Sequence, residues 1–174
     1  MTSEILRLER ELHAITDLTA TGSDKRLLHI VQRLSTIRNA AALGVLLGRI
    51  DDHVQDIQDM IMDAVERFPY QMYCTALARE LLPLHRRAPY RTSILIMGLI
   101  QSKPHLECFI GQLVGAGPEI QTALREVLQR VLGERPELKP QASIILDSVT
   151  NRRTLRASSG RTTRAIRRIP KRRV

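Results

Sequence analysis

The chain has 174 residues, 43% hydrophobic and 26% charged, the balance of an ordinary globular protein and not of a low-complexity or fibrous one. Its net charge of +9 is unevenly placed: residues 151–174 hold ten Lys or Arg and no acid, while residues 1–150 carry 17 basic and 18 acidic side chains. The basic balance is thus no argument for nucleic acid in the first 150 residues, and no apolar run is long enough to span a bilayer or serve as a secretory leader.

In chain order, nearly every segment repeats its apolar residues at helical spacing, and none alternates in the manner of a strand. A first helix is expected over 3–18, ended by Thr21-Gly22-Ser23. Ser23 or Asp24 is placed to cap a second, which puts Leu27, Ile30, Val31, Leu34 and Ile37 on one face. Residues 40–50 make a short apolar helix in which Gly44 and Gly48 would allow close helix contact. Asp51-Asp52 opens an amphipathic helix that runs to Phe68, where Pro69 stops it. The next spans 70–85, with Pro83 ending or kinking it near its last turn. Residues 92–100, TSILIMGLI, are apolar around the full circumference, which predicts a central helix covered on most sides. Pro104 and Pro118 each open a further helix, and a last one begins at Pro136 or Lys139 and ends at Thr150.

Core volume must come from aliphatic side chains, since there are two Phe, three Tyr and no Trp. Short links between helices of similar length force antiparallel neighbours. The expected fold is therefore all-α: stacked antiparallel helical hairpins forming a small HEAT-like α-solenoid of about eight or nine helices, with a closed bundle as the alternative. Residues 1–150 form one domain, and 151–174 a basic tail expected to be disordered. Cys74 and Cys108, both in apolar surroundings, read as free thiols, which suits a reducing cytoplasm.

Few residues suggest catalysis. His13, His29, His53, His85 and His105 stand apart, without the spacing of metal ligands, and Gly115-Ala116-Gly117-Pro118 lacks the residues of a phosphate loop. No enzyme activity, metal or cofactor is expected. The more telling pattern is Asp52, Asp56, Asp59, Asp63 and Glu66, in alternating steps of four and three. On a helix these acids share a strip roughly 80° wide, opposite Val54, Ile57, Ile61, Ala64 and Val65. Like charges at this spacing destabilise a helix, and no Lys or Arg lies within 51–66 to relieve them. The strip is open to three readings: a solvated face, a docking surface for a basic partner, or a seat for the chain's own tail. Tyr70 and Tyr73, next along the chain, are either core residues or interface anchors beside it.

From Phe68 to Leu146 the chain also shows a family likeness. It is carried by Phe68-Pro69-Tyr70, Leu81 to His85, Pro89, the apolar run ending in Gln101-Ser102, Phe109, Leu124, Val127 and Leu128, and Pro136-Glu137-Leu138-Lys139-Pro140-Gln141-Ala142 before Ile145-Leu146. This stretch resembles the immunity protein 30 family, small helical proteins encoded beside polymorphic toxins in bacteria. Gln101 stands where such proteins are expected to have Asn, and the basic tail lies outside the matching stretch. The resemblance implies a cytoplasmic protein that binds and neutralises a cognate toxin by occluding its active site, without identifying the toxin; a nuclease, with its basic phosphate-binding cleft, is the partner that the acidic strip would suit. The alternative function is a HEAT-like nucleic-acid-binding or DNA-repair protein that uses Arg86, Arg87, Arg91 and the tail, the tail giving nonspecific affinity.

Overall fold

A computed structural model describes residues 2–15, 22–52 and 55–150, the side chains of Gln55 and Asp56 excepted. The described residues form helices α1 (Ser3–Ala14), α2 (Ser23–Ile37), α3 (Ala40–Arg49), α4 (Gln55–Glu66), α5 (Tyr70–Arg87), α6 (Pro89–Ile100), α7 (Lys103–Leu113), α8 (Pro118–Glu134) and α9 (Lys139–Thr150), with a 3-10 turn at Pro136–Leu138. The basic tail lies outside them, as do residues 16–18 of the expected first helix.

Most helices pack on the next but one as well as on a sequence neighbour; α4 and α6, and α7 and α8, are the looser pairs. α1, α3, α5, α7 and α9 form one layer, and α2, α4, α6 and α8 a second. This is the all-α stack of helical hairpins that the periodicity predicts. One continuous core runs from Ile5 to Val149, built from Leu, Ile, Val and Ala with Phe68, Tyr73 and Phe109. Each fully buried aliphatic side chain contributes about 1.5–3 kcal/mol relative to exposure, so no further source of cohesion is needed.

Several local expectations change. α2 is entered through Gly22 in the left-handed conformation (φ +86°), so neither Ser23 nor Asp24 caps it. α3 instead has a side-chain cap, Asn39 accepting from the Ala42 amide at 2.9 Å. Pro83 does not end α5, which runs on to Arg87; the proline sits on its exposed side, where an absent amide hydrogen bond leaves no buried group unsatisfied. Gly44 and Gly48 do not bring helices together. A Cβ on Gly48 would meet nothing within 4 Å, and the small residues of α3 floor a shallow groove between α1 and α5. The 92–100 run is central without being covered all round: Leu95, Ile96, Leu99 and Ile100 are buried, Ile94 and Met97 partly so, and Gly98 is exposed.

Polar side chains tie α1, α3 and α5 together within their layer at one end of the stack. Arg49, closing α3, donates to the Ile15 carbonyl after α1 at 2.9 Å. Arg87, closing α5, donates to the carbonyls of Leu47 and Ile50 at the end of α3, at 2.9 and 2.8 Å. Each cation meets carbonyls in the last turn of a helix or just after it, at the negative end of the helix dipole.

Candidate docking surface

The acidic strip divides when its residues are placed. Asp52 precedes α4 and faces a neighbouring helix: its two carboxylate oxygens accept from the backbone amides of Tyr90 and Arg91, at 2.8 and 3.0 Å. It thus supplies the N-terminal cap that α6 cannot make from its own Ala88. Asp59 is exposed but pairs with Arg91, whose side chain is 6% exposed and also donates to the Met62 sulfur at 3.7 Å. That arginine fills the seam between α4 and α6, which approach each other less closely than other neighbours in their layer. Asp52 and Asp59 are therefore bound up in the fold. Asp56 belongs to α4, but its side chain is outside the described residues.

Asp63 and Glu66 remain as outward carboxylates on the last turns of α4, and neither closes an ion pair among the described residues. Glu66 lies against α6, its Oε1 3.4 Å from where a Cβ on Gly98 would be, so a larger residue there would crowd the carboxylate. Partial burial holds the Glu66 carboxyl above the ordinary carboxylate range, the charge of Asp63 pushes the same way, and His105 opposes both. The helix dipole adds to the cost, since acids at a C-terminus face its negative end.

A raised carboxyl pKa means that the folded state holds the proton more readily than the unfolded one. The cost of ionising Glu66 is then complete at neutral pH and relieved as pH falls toward 4.5, its ordinary value. Glu66→Gln should accordingly stabilise the protein at pH 7 by about 0.3 kcal/mol, a small gain because solvent screens the pair. Urea titrations at pH 7 and pH 4 should show that gain shrinking on acidification. A gain that grows with acidity would contradict the assignment.

The two tyrosines part company. Tyr70, at the start of α5, is 39% exposed, and its ring centroid lies 5.4 Å from that of His105. Tyr73 is 3% exposed and its hydroxyl donates to the Leu95 carbonyl at 3.4 Å, burial pushing the phenol well above its usual pKa. Tyr73 is a core residue with no surface to offer a partner. His105 replaces it in the patch: Ser102 Oγ lies 2.7 Å from its Nδ1, which orients the ring beside Tyr70. No spacing rule links residues 70 and 105, so only the packing of α5 on α7 reveals this pair. The surface thus consists of Asp63, Glu66, Tyr70 and His105, where α4 and α6 end and α5 and α7 begin. The last residue of α9, Thr150, leaves at the opposite end, because Gln121 in the first turns of α8 donates to the Val149 carbonyl at 3.4 Å.

A second concavity, a groove of about 930 Å³, lies between α5 and α8 and is lined by His85, Arg86, Glu119, Glu126 and Arg130 among others. His85 Nε2 is 2.8 Å from Glu126 Oε2, and its Nδ1 is buried. With one ring nitrogen tied and the other enclosed, neither is presented to a molecule in the groove. Arg86 pairs with Glu119 at 3.3 Å, so acids and bases alternate along the walls. Of the three arginines on which nucleic-acid binding would draw, Arg91 is buried, Arg87 is exposed but ties its guanidinium to the carbonyls ending α3, and Arg86 is exposed and paired with Glu119. Among the described residues no three His, Cys, Asp or Glu side chains gather as a metal site would require, and no helix is long and apolar enough to cross a membrane.

No protein-family model, curated protein or solved structure matches the chain. The placement of its own residues is therefore what bears on function.

Proposed function

We propose that this protein is an immunity protein that neutralises a cognate bacterial toxin of nuclease type, in the cytoplasm and without catalysis of its own, by docking the end of α4 on a basic active-site cleft. The observation that carries this reading is the pair Asp63 and Glu66: two outward carboxylates, Glu66 ionised at a cost, that close no ion pair among the described residues, beside the exposed ring of Tyr70. A surface shaped by stability alone would place lysines there. Carboxylates facing outward speed the approach of a basic partner, and a tyrosine held in place by His105 gives a rigid aromatic anchor. The likeness to the immunity protein 30 family supplies the class of partner.

The test is co-expression with the product of the gene directly upstream, followed by association kinetics. The double variant Asp63→Asn, Glu66→Gln should fold normally yet associate about tenfold more slowly at low salt, the difference closing as salt rises. Tyr70→Ala should instead speed dissociation about tenfold, as loss of an aromatic anchor does. Full protection of cells and unchanged kinetics in both variants would make this end of the stack a solvated face only.

A further inference from the structure

We propose that Cys74 and Cys108 are a reversible dithiol pair whose oxidation to a disulfide staples α5 to α7. The two helices pack directly on one another. Cys74 is fully buried on α5, and its thiol donates to the His105 carbonyl of α7 at 3.4 Å. Cys108 stands one turn further along α7, half-buried, and near enough to push the Cys74 thiol upward. Both thiols are free in this structure. A disulfide joins residues whose Cα atoms lie about 4.4–6.8 Å apart, a separation found along the contact between closely packed helices.

The geometry also sets the order of events. Burial and the neighbouring Cys108 push the Cys74 thiol upward, whereas Cys108 is open to solvent on one side. A low-molecular-weight disulfide such as oxidised glutathione therefore meets Cys108 first. The Cys108 thiolate attacks one sulfur of the reagent and releases one glutathione thiolate, which takes up a proton. Cys74 then loses its proton and attacks the Cys108 sulfur, and the second glutathione leaves as its thiol. Two electrons pass from the cysteines to the reagent, and two glutathione molecules are reduced. The inference depends only on the packing of α5 against α7 and not on the docking reading. Because the Cys74 thiol bonds to the backbone of His105, the staple would form directly beneath the Tyr70–His105 pair.

The test is incubation of the full chain with oxidised glutathione, peptide mapping, a melting curve, and reversal by dithiothreitol. The expected result is a 74–108 cross-link and a Tm raised by about 5–10 °C, as for a loop of this length in a domain of this size. Dithiothreitol should return both to their starting values. Cys108→Ser changes a half-buried position and should fold, showing neither the cross-link nor the shift. A glutathione adduct that persists on Cys108, recovery of both thiols unreacted, or the same rise in Tm in Cys108→Ser would each overturn the proposal.

Discussion

Replacing Ile96 by Asp should unfold the domain. Ile96 is fully buried on α6, the helix that packs on α5, α7 and α8. A carboxylate there would have no cation to meet, and the effective penalty for burying an unpaired ion is several kcal/mol, to which the loss of the aliphatic side chain adds about 2–5 kcal/mol. Domains of this size hold about 5–15 kcal/mol in reserve, so the sum removes most or all of it. Met97→Asp, one residue on, falls on a partly exposed position and should be distinctly milder, since the side chain can turn its charge toward water. Urea titrations followed by helical circular dichroism separate the two. Equal stability in the two variants would show that α6 is not the centre of the stack.

Asp52→Ala should destabilise the protein by about 2 kcal/mol, far more than any change at Asp63. Both of its carboxylate oxygens accept backbone amides at the first turn of α6, where a negative charge also meets the positive end of the helix dipole. At about 2–4 °C per kcal/mol the loss amounts to about 4–8 °C in Tm. Amide exchange supplies the sharper readout, because the protection lost should lie at Tyr90 and Arg91 and not in α4. If exchange instead quickens along α4, Asp52 belongs to its own helix, as the sequence pattern alone suggested.

That contrast shows what sequence can and cannot disclose in a helical stack. Helix existence and the inward faces follow from spacing within one segment, so α2, α5 and α9 come close to their expected limits, α8 opens at Pro118 as expected, and the order of helices gives the layered architecture. What spacing cannot show is a partner lying one or two helices away. Asp52 and Asp59 fit the acidic strip by position, yet one caps α6 and the other holds Arg91. Tyr70 and Tyr73 look equivalent until Leu95 and His105 are placed around them. Pro83 looks like a stop because its missing amide is visible in sequence, whereas its position on the exposed side of α5 is not. Asp63 and Glu66 were legible because their signal, acids uncompensated along one helix, is local.

The arginine ties at the ends of α3 and α5 also bear on how the molecule flexes. Arg49 and Arg87 secure α1 to α3 and α3 to α5 through carbonyls, contacts little altered by dissolved ions. Beyond α5 the same end is held to α8 by His85–Glu126 and Arg86–Glu119, with both glutamates open to solvent. Pairs of that kind weaken as counterions accumulate, over the range in which the screening length falls below about 10 Å. The Arg86–Glu119 tie between α5 and α8 therefore responds to ionic strength, whereas the carbonyl ties among α1, α3 and α5 do so little.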